Sequence, residues 1–272
     1  MQKFSLKSVA ITTLAVISLT ACNQAPINTT ESEQIPTNDV IQSEPENEVK
    51  EIKEIVFEEE TDLYTIDVVS PEINWYPELN QYIKAMIDND ISSFKEEVTN
   101  DEWYEQDIED PMMRHGYYSR FEIITFTSKL FSAKFNNSIY YGGAAHPMSY
   151  TNVINYDLEK NKNFEIADLF VEESPYVAAL SDFCINDFNF RISQGDEWLG
   201  DSDWIAEGAG PKESNFIAFN LTAEGLLITF DAYQVAAYAA GPQEVLIPYS
   251  ELQEILRDDL PLEFDYADYM YS

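Results

Sequence analysis

The stretch Ser119–Asp157, SRFEIITFTSKLFSAKFNNSIYYGGAAHPMSYTNVINYD, decides the fold class. Phe, Tyr, Ile and Thr gather in runs near 119–127, 129–135, 138–142 and 149–157. The gaps between them are too short for crossover helices, so the spacing predicts an antiparallel meander rather than βαβ units. Upstream, Tyr64, Ile66 and Val68 alternate with Thr65 and Asp67, a strand that Pro71 is expected to end. From Pro77 the apolar residues Leu79, Ile83, Met86, Ile87, Ile91, Phe94 and Val98 recur at helical spacing, with proline at a favoured first-turn position. Residues 99–118 read as an acidic, aromatic loop.

Downstream, Asp157-Leu158-Glu159-Lys160-Asn161-Lys162 reads as a turn, and Ser174-Pro175 opens a second helix running to about Ile192. Residues 193–213 read as a Gly- and Asp-rich loop. Phe216–Leu221 and Leu226–Phe230 form a hairpin pattern, followed by a short strand at Val245–Pro248 and a short helix over Tyr249–Arg257. The expected fold is α+β: an antiparallel β-sheet packed with two main α-helices and preceded by a disordered tether.

That tether follows an export signal. Lys3 and Lys7 precede an apolar run, Val9–Leu19, too short to span a bilayer, and Leu19-Thr20-Ala21-Cys22 has the form of a lipobox. The reading is a signal peptide over 1–21, lipid attachment at Cys22, an acidic disordered linker over 22–61, a small strand–helix subdomain over 62–118 and a C-terminal domain over 119–272. The linker composition cannot bury enough surface to offset its ordering entropy. The protein is then extracytoplasmic and lipid-anchored to a bacterial membrane. Asn23 in place of aspartate after the anchor points to the outer membrane if the source has two.

Fifty acidic residues against 15 basic ones give a formal charge of −35. Removing the signal takes away Lys3 and Lys7 and no acid, so the mature chain is more negative still. Such a surface repels phosphates, which excludes nucleic acid as a partner, and it attracts cationic proteins by long-range steering. A hydrophobic content of 45% suffices for a sizeable core without disulfides. With Cys22 acylated, Cys184 has no intrachain partner; within an apolar helical pattern it reads as a buried small hydrophobe.

Catalytic signatures are weak. His115 and His146 lack metal-ligand spacing, and neither HExxH nor GxSxG occurs. Ser92-Ser93-Phe94-Lys95 fits SxxK by letter, but it lies on the amphipathic helix without companion motifs. No catalytic residues are assigned and no enzyme activity is expected. Asp196, Asp201 and Asp203 are weak candidates for Ca²⁺ in an acidic loop whose order does not match an EF-hand. More specific are Tyr140-Tyr141-Gly142-Gly143-Ala144-Ala145-His146-Pro147 and the segment from Phe230 to Tyr249, where small residues interleave with Tyr233 and Tyr238. Two glycines beside a strand end signal backbone freedom or close approach. The second pattern fits either a structural crossover or an aromatic recognition surface.

These stretches resemble the RsiV-like extracytoplasmic domain, a domain of unknown function. It occurs in a lysozyme-sensing anti-sigma factor ectodomain and in the accessory region of peptidoglycan deacetylases. The resemblance rests on 142–147, on Asn155-Tyr156-Asp157-Leu158 leading to Ile166-Ala167-Asp168-Leu169-Phe170, and most of all on 216–252. Ala237 departs from it, standing where the family tends to carry proline. No sigma-binding segment, transmembrane helix or deacetylase domain is visible, so those roles do not carry over. The resemblance implies a binding domain of the cell envelope that recognises lysozyme-like, cationic wall hydrolases, with contacts near Tyr140, Tyr141, Gly142, Gly143, His146, Tyr233 and Tyr238. The alternatives are a peptidoglycan- or glycan-binding module, in which tyrosines stack on sugar faces, and an uncharacterised hydrolase.

Overall fold

A computed structural model describes residues 50–100, 113–199 and 202–263. The expected signal peptide, Cys22, most of the expected linker, Asp201 and the end of the acidic tail lie outside the described residues. Nine strands and the main helices follow in chain order: β1 (Ile52–Glu60), β2 (Tyr64–Ile73), α1 (Pro77–Thr99), β3 (His115–Phe126), β4 (Leu130–Tyr140), β5 (Met148–Asp157), β6 (Lys162–Asn163), α2 (Tyr176–Ser193), α3 (Ser202–Gly208), β7 (Phe219–Leu221), β8 (Gly225–Phe230), β9 (Gln243–Pro248) and α4 (Tyr249–Leu252). β1 to β6 form one sheet in sequential order, and β7-β8-β9 form a second, antiparallel sheet. The α+β class is as the sequence indicates.

In the large sheet every pair is antiparallel except β2–β3, which is parallel. A parallel pair needs a crossover, and α1 supplies it. The helix lays its expected stripe, Leu79, Ile83, Ile87, Ile91, Phe94 and Val98, against Ile66, Val68, Tyr117, Phe131, Phe135 and Ile154. Each such burial contributes about 1.5–3 kcal/mol. A second core forms where α2 buries Leu180, Cys184 and Phe188 among Phe219, Leu221, Ile228, Phe230, Val245 and Ile247. Burial pushes the Cys184 thiol up to about 12, as befits an inert core cysteine.

Six boundaries differ from the sequence reading. β1 lies inside the stretch expected to be linker; its glutamates hide a strand whose Ile55 and Phe57 share a face with Val68 of β2. β2 runs through Pro71, because its pairing with β3 ends at Val69↔Arg120 and proline's missing N–H has no ladder partner to fail on that side. β3 begins at His115 and crosses the expected 118/119 subdomain boundary. The runs 129–135 and 138–142 are one strand: Asn137, buried between them, donates to the Phe135 carbonyl at 3.1 Å and accepts from Tyr117 Oη at 3.1 Å. The expected loop 193–213 also contains α3, anchored by Ile205, while α4 ends at Leu252 rather than near Arg257.

The two sheets meet at a buried polar node. Ser132 Oγ donates to Asn155 Oδ1 (2.7 Å) and accepts from Asn220 Nδ2 (3.0 Å) and Leu221 N (3.2 Å), using its one donor and both lone pairs. Asn155 Nδ2 donates to the Phe219 carbonyl at 2.7 Å, and its Oδ1 also accepts from Leu221 N at 3.2 Å. Side chains of β4 and β5 thus satisfy the free backbone edge of β7, which otherwise would be buried unpaired.

Candidate functional site

The loops after β4 and β8 converge on one surface. After β4 the chain turns with Ala144 N donating to the Tyr141 carbonyl (2.9 Å), and Gly143 takes φ +78. A Cβ there would also crowd Met113 Sδ at 3.3 Å, which accounts for the glycine. The turn delivers His146 to the surface at the start of β5.

After β8, Asp231 N donates to Gln234 Oε1 (3.1 Å), and Gln234 Nε2 donates to the carbonyls of Gly208 (2.9 Å) and Asn215 (3.0 Å). The loop sits so close to the end of α3 that a Cβ on Gly208 would fall 1.8 Å from the Gln234 carbonyl oxygen. Burial raises the Asp231 carboxyl, opposed by hydrogen bonds from Thr151 of β5. Val235 and Ala236 plug into the second core. Between these anchors Tyr233 is forced to φ +72, a left-handed backbone that costs a non-glycine residue roughly 1–2 kcal/mol. Ala237 keeps φ −62, the value a proline would fix, so its departure from the family pattern leaves the backbone path intact.

The result is an aromatic platform. His146 stacks on Tyr238 with ring centroids 4.0 Å apart and planes at 19°. Tyr233 lies 5.4 Å from Tyr238, and its hydroxyl is 3.3 Å from His146 Nε2. Trp204 of α3 meets Tyr233 edge-on at 6.4 Å. Tyr233 is 53% exposed, and Trp198 is 64% exposed on the Glu197–Leu199 turn beside Tyr238–Ala240. Rings held in a fixed array by backbone anchors offer flat apolar faces at little entropic cost on binding. A strained, exposed tyrosine at its centre is the kind of outlier that accompanies a functional surface.

Three expected contact residues, His146, Tyr233 and Tyr238, thus come together. Tyr141 does not join them: it turns to the α1 side, edge-on to His115 at 6.0 Å, and burial with a hydrogen bond to Glu97 raises its phenol. Tyr140 ends β4, while Gly142 donates its N–H to His115 Nδ1 at 3.4 Å and Gly143 shapes the turn. Trp198 and Trp204 escaped the sequence reading because they sit in a polar segment without periodicity; two tryptophans in such a stretch were the available signal. For calcium, Asp196 Oδ1 accepts from Trp198 N at 3.0 Å, and among the described residues no three His, Cys, Asp or Glu side chains gather at metal-binding distance. The other resemblance-bearing residues build the fold. Asp157 Oδ1 accepts from Glu159 N and Lys160 N to make a turn, and Asp168 caps its own helical turn by accepting from Glu165 N.

Residues 167–250 match the family model described as "Protein of unknown function (DUF3298)", and residues 57–149 match "Deacetylase PdaC". Over 180 residues the chain is 26% identical to the peptidoglycan-N-acetylmuramic acid deacetylase PdaC of Bacillus subtilis. That alignment covers 66% of this chain and only 36% of the deacetylase. Crystal structures of DUF3298-family proteins share the fold. One from Bacteroides fragilis has a TM-score of 0.52 at 16% identity, covering 76% of this chain and 94% of its own. One from Pseudomonas aeruginosa has 0.56 at 15%, covering 77% and 95%. Among the described residues no helix is long and apolar enough to cross a membrane.

Proposed function

We propose that this protein is a lipid-anchored, extracytoplasmic binding protein of the cell envelope, whose aromatic platform holds the glycan strand of peptidoglycan. The observation that carries this reading is the array of His146, Tyr233, Tyr238 and Trp204 on an exposed surface, with the first three rings 4.0–6.3 Å from one another and Trp204 6.4 Å from Tyr233. Sugar rings present C–H faces that stack on such arrays, and the hydroxyl of Tyr233 adds a polar fixing point. The sequence likeness to a peptidoglycan deacetylase supports the polymer, and the lipobox at Leu19–Cys22 supports the anchor. The role is retention: the domain grips the wall while the anchor grips the membrane.

A second reading, a lysozyme-like cationic partner, is favoured by the charge of −35. The two differ in salt response. Binding to a cationic protein weakens steeply with salt, whereas stacking on a glycan whose muramic carboxylates share the protein's sign holds or strengthens. Calorimetry with a peptidoglycan tetrasaccharide and with lysozyme, at 20 and 200 mM salt, separates them. The expected result is glycan binding that salt does not weaken and that Tyr238→Ala reduces at least tenfold. Saturable lysozyme binding without glycan binding would replace this reading with the second one.

A further inference from the structure

The far edge of the large sheet carries a second binding surface, remote in the strand order from the aromatic platform. Among the described residues β1 pairs only with β2, so along nine residues alternate N–H and C=O groups of β1 face outward. Natural edges of this length are blocked by proline, a bulge, a covering helix or charged side chains; β1 has only the last, chiefly glutamates, which deter an acidic strand and not a cationic one. α1 covers β2 and reaches β1 through Lys95, which pairs with Glu59 at 2.6 Å, and beside that contact lies a cavity of about 320 Å³ lined by Ile55 and Phe57 of β1, Pro71 of β2 and Ile83, Ile87 and Ile91 of α1. Ile55 and Phe57 remain 43% and 39% exposed. The opposite face of the same strand presents Glu54, Val56 and Glu58, and among the described residues neither glutamate has an ion-pair partner.

We infer that the β1 edge captures an extended cationic peptide segment of a partner protein, which adds to the sheet as a further strand. Side chains on an added strand alternate between the two faces. Those opposite Ile55 and Phe57 enter the apolar groove, while those opposite Glu54 and Glu58 meet unpaired carboxylates. The chemistry therefore selects a segment alternating apolar residues with lysine or arginine. A second copy of this chain fits poorly. Antiparallel pairing of two β1 strands centred on Val56 would set Glu54 of each copy directly opposite Glu58 of the other, a like-charge pairing that destabilises.

The test uses the full-length chain and fluorescein-labelled Lys-Val-Lys-Ile-Lys-Val-Lys-Ile, with fluorescence anisotropy as the readout. Three control peptides accompany it: a scrambled one of equal composition, one with alternate backbone nitrogens methylated, and one with glutamate replacing lysine. The alternating peptide is expected to bind at least tenfold tighter than each control, and Glu54→Lys with Glu58→Lys to weaken it at least tenfold. Protection of β1 amides from hydrogen exchange should accompany binding. Equal binding of the alternating and scrambled peptides would overturn the inference, leaving charge attraction alone. Indifference to N-methylation would overturn strand addition, and so would failure of the full-length chain to bind. Self-association of the free protein that Glu54→Lys abolishes would assign the edge to a second copy instead. The peptide controls act on the unaltered protein, so the test stands even if a variant fails to fold.

Discussion

Replacing Asn155 by alanine removes the residue that ties the two sheets together. Its side chain makes three buried contacts: it accepts from Ser132 Oγ at 2.7 Å and Leu221 N at 3.2 Å, and donates to the Phe219 carbonyl at 2.7 Å. Leu221 N keeps Ser132 Oγ as an acceptor at 3.2 Å, so one of the three is backed up. The other two leave the Phe219 carbonyl without a donor and the Ser132 hydroxyl without an acceptor, in a region closed to water. Each lost bond removes about 1 kcal/mol, and each buried orphan adds about 1–2 kcal/mol of desolvation. The sum is about 4–6 kcal/mol, or roughly 10–20 °C in Tm for a domain of this size. Urea unfolding followed by circular dichroism should show that loss as a lower midpoint with unchanged slope. Asn155→Asp keeps the acceptor but loses the donor and buries a charge, so it should be at least as damaging. A loss below about 1 kcal/mol for Asn155→Ala would refute the node as the join between the sheets.

Three further outcomes follow from local features. At Tyr233, with φ +72, glycine should be more stable than alanine by about 0.5–1 kcal/mol, reversing their usual order, and thermal melts of the two variants check this. Cys184, buried and with its thiol pushed up to about 12, should resist Ellman's reagent in the native protein and react stoichiometrically once unfolded. Burial raises the Asp90 carboxyl above its ordinary range, against hydrogen bonds from Tyr117 and Asn152, so the native state is penalised once Asp90 ionises. Asp90→Asn should therefore raise Tm at pH 7, with the advantage shrinking as pH falls from the raised folded value through the ordinary aspartate value of about 3.9; a gain that is independent of pH would contradict this.

Periodicity made the core legible: the stripe of α1, the strands around Ile123, Phe131 and Ile154, and the hairpin of β7 and β8 all follow from alternation in the sequence. What it hid has physical reasons. Among the described residues β1 has only one neighbouring strand, and it is mostly exposed, so its pattern is glutamate-rich and resembles a solvated linker. Pro71 and Asn137 look like strand breakers until pairing partners are known, since each is tolerated only because of what does or does not lie opposite it. Of the candidate site, His146, Tyr233 and Tyr238 were readable as aromatic residues beside small ones, but their contact joins loops almost ninety residues apart. Tyr141 adjoins the same glycines but packs beside His115 and Glu97 instead. The conformation of Tyr233 had no sequence signal, because glycine or asparagine would have announced a left-handed position and tyrosine does not.

The central claim is most directly tested by titrating a peptidoglycan tetrasaccharide into the isotopically labelled protein and following the backbone and ring resonances. The account predicts saturable shifts confined to the loops bearing His146, Trp204, Tyr233 and Tyr238, with the β1 edge silent. Absence of shifts at millimolar glycan, or shifts centred elsewhere on the fold, would contradict it.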